Sequence, residues 1–252
     1  MLLWTHAAAL VVSLAVGHTR GSGTIKEETR QVGDFSGVSV GSGIRATVSI
    51  GPKTSVVLTG DDNLLSMIKL EVVDGKLTTR VDYNEGIHPS RPIRLTVVTP
   101  HLTSAEASGG ASLTADATPG PKFVASASGG SKVSVKGVDS KQMFARVSGG
   151  GTISITNLKA DSADIEGSGG ATISLSGSVK RIETKLSGGA GLKAQDVPAE
   201  ALRVSASGGS RVYAQVSSEL SARLSGGATV HLKGNPSKRE IDTSGGSKIY
   251  YE

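Results

Sequence analysis

The chain has no cysteine among its 252 residues, which excludes disulfide bonds, thiolate metal centres, a cysteine nucleophile and a lipid-modified N-terminal cysteine. Aromatic residues make up only 3% of the sequence, so the large side chains that fill a thick, enzyme-type core are missing. Hydrophobic residues still reach 37% and charged residues 19%, an ordinary balance for a folded chain. We therefore expect a narrow and regular fold.

The sequence also lacks an apolar run long enough to cross a bilayer as a helix, for which about 18 residues are needed, so we predict no transmembrane segment. The stretch from Ala7 to Val16 is almost wholly apolar, and Ala15 and Gly17 are small residues just before a possible cleavage site ahead of His18. These features are typical of a signal peptide, which we place at 1–17. The sequence thus predicts an exported protein that is periplasmic, outer-membrane associated or secreted. A buried first strand is the alternative, because no positive charge precedes the apolar stretch.

Positive charge is only slightly in excess of negative charge. Lys and Arg number 27 against 22 Asp and Glu, which gives a formal net charge of +5. A basic surface attracts acidic partners, so we expect an anionic glycan, lipopolysaccharide or an envelope protein as the partner. Nucleic acid is not expected, because the sequence has neither a dense Lys/Arg run nor stacking aromatic residues.

Glycine is abundant, with 34 residues, and much of it falls in a repeat. The triplet Ser-Gly-Gly begins at Ser108, Ser128, Ser148, Ser168, Ser187, Ser207, Ser225 and Ser244, at intervals of 18 to 20 residues. A fixed period of this size is typical of a stacked repeat fold. The flanking residues alternate in polarity: in one repeat Ile153 and Ile155 alternate with Thr152 and Ser154. Alternation with a period of two predicts half-buried β-strands.

The doublets of glycine predict bends in the backbone. If all sixteen of these glycines lay in strand interiors, they would cost on the order of 8 to 16 kcal/mol relative to alanine, which is comparable with the stability of a whole domain. We therefore assign them to one corner of each coil, with a second corner in the variable stretch between triplets. These corner glycines are Gly109, Gly110, Gly129, Gly130, Gly149, Gly150, Gly169, Gly170, Gly188, Gly189, Gly208, Gly209, Gly226, Gly227, Gly245 and Gly246.

The expected fold is all-β: a right-handed parallel β-helix with coils of about 20 residues. We predict a linker at 18–33 and a single β-helix domain at 34–252. Within it, 34–100 forms the N-terminal coils and an atypical cap, and 101–252 forms the Ser-Gly-Gly coils. Ile249 to Glu252 finish inside a coil, so we expect a homo-oligomer through the coil ends as one outcome.

The N-terminal third departs from the repeat. Gly41-Ser42-Gly43 reads as a degenerate first corner, and Asp74-Gly75-Lys76 as a turn between two strands. The segment from Gly60 to Lys69 has the only plausible helical spacing, with Asp61 or Asp62 as its cap.

Several motifs together resemble a known family. They are Asp34-Phe35-Ser36-Gly37-Val38, Gly60-Asp61-Asp62-Asn63-Leu64-Leu65, Asp74-Gly75-Lys76-Leu77, Pro100-His101-Leu102 and the serial Ser-Gly-Gly triplets. This ordered set resembles the GIN-domain family, described as autotransporter-adhesin head domains of exported bacterial proteins. The resemblance implies a β-helix-like fold at the cell envelope and an adhesin-like function. It does not extend to self-export, because no translocator barrel follows the repeats.

We predict no catalytic residue and no cofactor site. His18, His88, His101 and His231 show no metal-ligand spacing, so we predict no metal site. The repeated serines have no nearby histidine in the sequence to activate them. We therefore do not predict an enzyme.

Two classes of function remain, with a purely structural, self-associating role beside them. The first is a non-catalytic binding or structural module of the cell envelope that uses the extended faces of a solenoid; Lys132, Arg211 and Lys248 are its candidate binding residues. The second is a carbohydrate-active enzyme, a polysaccharide lyase or hydrolase, by analogy with other β-helices. Its residues would converge around Asp82, Arg91 and Arg94.

Overall fold

The computed structural model of the chain describes residues 18–81 and 86–252. The predicted signal peptide and Asp82 therefore lie outside the described residues. Within the described part, no helix is both long enough and apolar enough to cross a membrane.

Strands make up nearly all of the regular structure. In the N-terminal third they are β1 (His18–Arg20), β2 (Ile25–Thr29), β3 (Gly37–Val40), β4 (Arg45–Ile50), β5 (Ser55–Asp61), β6 (Ile68–Val73), β7 (Lys76–Val81), β8 (Gly86–His88) and β9 (Arg94–Thr99), with one 3-10 turn, η1, at Leu65–Met67. The repeat region contains β10 (Ser104–Ala107), β11 (Ser112–Asp116), β12 (Gly120–Ala127), β13 (Lys132–Lys136), β14 (Asp139–Val147), β15 (Thr152–Gly167), β16 (Thr172–Leu186), β17 (Gly191–Ala206), β18 (Arg211–Leu224), β19 (Thr229–Lys233), β20 (Lys238–Thr243) and β21 (Lys248–Tyr251).

The repeat region is a parallel solenoid, as predicted. Every strand from β10 to β21 pairs in parallel with its equivalents one coil away. The pairing is in register, so equivalent residues form columns along the axis; one inward column consists of Leu113, Val133, Ile153, Ile173, Leu192, Val212, Val230 and Ile249. The hydrophobic pattern sets this register, since a slip of one residue would turn each aliphatic side chain outward.

Each Ser-Gly-Gly triplet forms a corner between two strand segments. The first glycine of every triplet has a left-handed φ, between +56° and +73°. The second glycine is left-handed in only four triplets; Gly150, Gly170, Gly189 and Gly209 are not. All sixteen glycines lie in the turns between strand segments, and in these four triplets the left-handed conformation is confined to the first glycine.

The interior is one continuous stack of small and aliphatic side chains, from Val38 to Leu232. The two inward columns of each strand segment meet across a narrow space, and small residues fill the inside of the corners. Ala171, Ala190 and Ala228 are all buried there. This geometry explains the low aromatic content, because a coil of about 20 residues leaves little room for large rings.

The coils of the N-terminal third are not stacked in chain order. Strand β3 pairs with β10 on one side and with β7 on the other, and β4 lies in the same way between β11 and β9. The segment from residue 51 to residue 100 therefore packs on one side of the first coil, which consists of β3 and β4. The repeats begin on the other side of that coil, with β10 and β11. The Gly41-Ser42-Gly43 corner is confirmed, since Gly43 N donates to Gly109 O of the next corner.

Antiparallel strands complete this end. Strand β5 pairs with β9 and β2, and β6 pairs with β7 through the predicted turn at Asp74 and Gly75. Residues 18–33, predicted as a linker, instead contribute strands β1 and β2, and β1 pairs with β8. This part of the chain closes the end of the solenoid that the stacked coils leave open.

The predicted helix from Gly60 to Lys69 is not formed. Strand β5 extends through Asp61, and only the 3-10 turn η1 follows before β6 begins at Ile68. Leu64 and Leu65 are buried, so the apolar spacing that suggested a helix reflects a tight, buried turn between two strands.

Asp61 is not a helix cap either. Its side chain is fully buried, and its carboxylate accepts hydrogen bonds from Gly23 N (2.8 Å), Ser90 N (2.9 Å) and Ser90 Oγ (2.6 Å). The hydrogen bond from the Ser90 hydroxyl is the main cause that lowers the pKa of Asp61 below its ordinary value. One carboxylate thus joins the segment after β1 to the loop before β9.

We expect Asp61→Asn to lower the melting temperature at neutral pH, because an amide cannot accept all three hydrogen bonds. Because the pKa of Asp61 is lowered in the folded state, the ionised carboxylate stabilises the fold at any pH above the unfolded pKa of about 3.9. This stabilisation is lost as the pH falls through the lower pKa of the folded state. The difference in melting temperature between variant and wild type should therefore become smaller at acidic pH. Asp74→Asn is the control, since Asn suits the left-handed turn there. Equal melting temperatures at neutral pH would contradict the role of Asp61.

Candidate functional site

The three predicted binding residues lie in one column on one face of the solenoid. Lys132, Arg211 and Lys248 occupy the same register position, and all three side chains are exposed. Parallel coils are about 4.8 Å apart. Lys132 is therefore about 19 Å from the level of Arg211, and Lys248 is two coils further on.

Two adjacent outward columns define what we call the basic face. The first runs Arg94, Arg45, Ser112, Lys132, Thr152, Thr172, Gly191, Arg211, Thr229 and Lys248, and the second runs Thr96, Thr47, Thr114, Ser134, Ser154, Ser174, Lys193, Tyr213, His231 and Tyr250. The strands that carry them are β9, β4, β11, β13, the first halves of β15 to β18, β19 and β21. The face follows the full length of the stack.

Sequence reasoning missed three cations of this face. Arg45 follows the degenerate first corner at the same spacing as Lys132 follows Gly130, a signal that could have found it. Arg94 has no glycine corner before it in the sequence. Only the pairing of β9 with β4 places Arg94 next to Arg45. Lys193 belongs to the second column, so an inspection of the first column alone overlooks it.

No carboxylate occupies any of these twenty positions. Nor does any of the face's lysines or arginines form an ion pair with another described residue. Arg45 and Arg94 are direct neighbours in register, an arrangement of like charges that is unfavourable without a counter-ion. Glu252 Oε1 lies 3.4 Å from His231 Nδ1 on this face, but none of the six lysine and arginine side chains is paired with a described carboxylate.

The opposite side of the corners differs in charge. On this mixed face, formed by β7, β3, β10, β12, β14, the second halves of β15 to β18 and β20, several cations have acidic partners. Arg146 Nε lies 3.1 Å from Glu166 Oε2, and Lys76 Nζ lies 2.6 Å from Glu106 Oε1. Cations and carboxylates thus alternate on the mixed face, as Arg146, Glu166 and Lys185 do on successive coils, whereas the basic face has cations alone.

Hydroxyl groups fill the middle of the basic face. Thr152, Ser154, Thr172 and Ser174 project from two adjacent coils and are partly exposed. Each hydroxyl can donate and accept a hydrogen bond. This stretch can therefore contact an uncharged polar surface between the charged ends.

Aromatic rings form a stack at one end of the face. The ring centroids of Tyr213 and His231 are 4.7 Å apart, and those of His231 and Tyr250 are 4.8 Å apart, with nearly parallel planes. The faces of these rings pack against each other, so they are largely unavailable for stacking on nucleic acid bases.

A groove of about 850 Å³ runs along the third side of the coils. Lys141, Asp161, Lys180 and Glu200 line it, on neighbouring coils. Lys180 Nζ lies 2.7 Å from Asp161 Oδ1, and this hydrogen bond lowers the pKa of Asp161 and raises the pKa of Lys180. Both pKa values therefore move away from neutral pH, and both groups stay charged. General acid–base catalysis needs a pKa close to the working pH.

Of the three residues considered for a carbohydrate-active enzyme, the structure describes Arg91 and Arg94. Asp82 lies outside the described residues. Arg94 points outward on the basic face, and Arg91 precedes β9 in an exposed loop. An aspartate and a lysine do lie together in the groove, but there Asp161 and Lys180 are paired with each other.

Solved structures with the same fold match nearly the whole chain. The crystal structure of a "putative adhesin" from Parabacteroides distasonis is 20% identical, with a TM-score of 0.84, and the match covers 93% of this chain and 100% of that chain. One from Parabacteroides merdae is 19% identical, with a TM-score of 0.82 and coverage of 94% and 99%. A "putative lipid binding protein" from Parabacteroides distasonis is 17% identical, with a TM-score of 0.81 and coverage of 93% and 99%.

At these identities the likeness establishes the fold. No curated protein matches the chain. The sequence profile of the family described as "Putative auto-transporter adhesin, head GIN domain" matches residues 34–236, which confirms the resemblance seen in the motifs. The chain therefore belongs to this family of adhesin head domains.

Proposed function

We propose that the protein is a non-catalytic, exported module of the cell envelope that binds anionic glycans through its basic face. The observation that carries this proposal is the pair of columns with six lysine and arginine side chains and no carboxylate. Membership of an adhesin family supports an adhesin-like role, and the apolar N-terminal stretch supports export.

Electrostatics explain why such a face favours an anionic partner. Like charges one coil apart repel each other, and a bound anion relieves that repulsion. The partner we propose is an acidic polysaccharide, or the anionic glycan of lipopolysaccharide, because sugar hydroxyls also match the serine and threonine side chains between the cations.

A carbohydrate-active enzyme is less well supported. The groove contains Asp and Lys on neighbouring coils, but Asp161 and Lys180 already neutralise each other at 2.7 Å. The family is described as an adhesin head domain, and the similar structures as adhesins or as a lipid binding protein; none of these descriptions is of an enzyme. Binding without turnover is therefore the function that this geometry supports best.

We expect the triple variant Lys132→Gln, Arg211→Gln and Lys248→Gln to bind polygalacturonate about threefold to a hundredfold more weakly than wild type. Exposed charges contribute roughly 0.2 to 1 kcal/mol each, and 1.4 kcal/mol corresponds to about a factor of ten. Titration calorimetry at low and high salt measures the change, and salt should weaken the binding of the wild type more than that of the variant.

The matched control removes the same charge from the mixed face, by Arg146→Gln, Lys185→Gln and Arg223→Gln. These three cations have carboxylate partners, so their loss should leave the affinity nearly unchanged. Equal losses in both triple variants would show that net charge, and not the basic face, governs binding. Absence of binding in the wild type to polygalacturonate and to lipopolysaccharide alike would overturn the proposal.

A further inference from the structure

The cations of the basic face are not evenly spread along the axis. Arg94, Arg45 and Lys132 form a lower cluster across four successive coils. Lys193, Arg211 and Lys248 form an upper cluster, also across four coils. With coils about 4.8 Å apart, each cluster is about 14 Å long.

The two clusters are separated by an uncharged gap. Between the coil of Lys132 and the coil of Lys193 lie the two coils of β15 and β16, which present only Thr152, Ser154, Thr172 and Ser174 on this face. The gap is three coil spacings, or about 14 Å, and the distance from Arg94 to Lys248 is nine spacings, or about 43 Å. One short anion cannot reach both clusters.

The orientation of a ligand follows from the columns. Five of the six cations share one column that runs along the solenoid axis, perpendicular to the strands. An anion that follows this column must be extended and must carry repeated charges. The hydroxyl groups in the gap suit a sugar backbone, whereas the rings at the upper end already stack on each other at 4.7 and 4.8 Å.

We propose that the basic face is a bipartite site for a linear acidic polysaccharide, which lies along the axis and binds both cation clusters at once. This inference rests on the proposed function and adds the form of the ligand and its minimum length. Binding at the first cluster holds the rest of the polymer near the second, so the second contact forms at a high effective concentration. Linked contacts of this kind raise affinity by up to about 10² to 10⁴ over a single contact.

The test is a length series of oligogalacturonates, from fragments that reach one cluster to chains longer than about 43 Å. We expect weak binding of short fragments and a rise in affinity of at least about tenfold once the chain reaches both clusters. Beyond the full length of the face, the affinity per chain should change little. Fluorescence anisotropy of end-labelled oligomers gives the dissociation constant at each length.

Two variants separate the clusters. The lower variant carries Arg94→Gln, Arg45→Gln and Lys132→Gln, and the upper variant carries Lys193→Gln, Arg211→Gln and Lys248→Gln. Each should retain the weak binding of short fragments and lose the rise with length. All six positions are exposed, and circular dichroism verifies that both variants keep the wild-type melting temperature. The mixed-face triple variant is the control and should keep the rise.

The outcomes are distinct. An affinity that grows in proportion to chain length, with no step, would overturn the bipartite site and leave the proposed function standing. A step that persists in either cluster variant would do the same. If no oligogalacturonate or polygalacturonate binds, both proposals fail; binding of anionic lipid vesicles or single-stranded DNA in that case would assign the basic face to another class of partner.

Discussion

Gly208→Ala is expected to lower the free energy of unfolding by about 2 to 5 kcal/mol. Gly208 has a φ of +68°, and a Cβ atom at this position would lie 2.7 Å from Gly188 O in the corner of the preceding coil. The left-handed conformation costs a non-glycine residue about 1 to 2 kcal/mol, and forcing an atom into a filled space costs typically 1 to 3 kcal/mol more. Urea unfolding followed by far-UV circular dichroism measures the difference.

The neighbouring glycine gives a matched control within the same corner. Gly209 is not left-handed, and its Cβ would lie 3.7 Å from Gly188 O, an ordinary contact. Gly209→Ala should therefore change stability by less than about 1 kcal/mol, and the loss of freedom in the unfolded chain would act in its favour. Equal effects of the two substitutions would contradict the role of the first glycine in turning the chain.

Ile173→Ala is expected to cost about 2 to 5 kcal/mol, the range for truncation of a large buried aliphatic side chain. Ile173 is fully buried, and it packs against the backbone of Gly167 on the opposite side of the coil. A Cβ at Gly167 would lie only 3.1 Å from Ile173 Cδ1 and 2.8 Å from Leu186 Cδ2. Because Gly167 has no side chain to move into the vacated space, the cavity should collapse poorly.

A double-mutant cycle tests this packing. Gly167→Ala alone should be destabilising by about 1 to 3 kcal/mol, since the site is already full. In the Ile173→Ala background the added methyl group should cost about 1 kcal/mol less, because the space is free. The control cycle pairs Gly167→Ala with Val212→Ala, two coils away in the same column as Ile173, and its costs should add. Additive costs in the first cycle would show that the two side chains do not share the space.

Much of the fold follows from local patterns. Alternation such as that of Ile153 and Ile155 with Thr152 and Ser154 requires a strand with one buried face, and glycine doublets at a fixed spacing require a bend between strands. Repetition then leaves stacking in register as the arrangement that buries every aliphatic column. These are local constraints, so a single sequence contains them in full.

The errors come from contacts between distant segments. Asp61 resembles a helix cap because its neighbours are Asp62, Asn63 and two leucines, but the fold buries it against Gly23 and Ser90. No local pattern indicates that a chain segment 29 residues further on will supply the hydrogen bonds to this carboxylate. The same limit applies to residues 18–33, where strand β2 exists only because β5 provides a partner.

The candidate site was predicted in part for the same reason. Lys132, Arg211 and Lys248 could be found because they share one position of a visible repeat. Arg94 could not, because it joins this column only when β9 lies beneath β4. Absence of acidic neighbours is likewise a property of the assembled face, since Glu and Asp are common elsewhere in the chain.

The sequence by itself determined the strands of the repeat region, the corner glycines, the spacing of the coils and the family, because each depends on residues close together in the chain or on their repetition. The tertiary structure alone decided the order of the first coils, the burial of Asp61 and the assembly of six cations into two clusters. These depend on which segments meet across the stack, and pairing between strands that are tens of residues apart is fixed by the packing of the whole molecule.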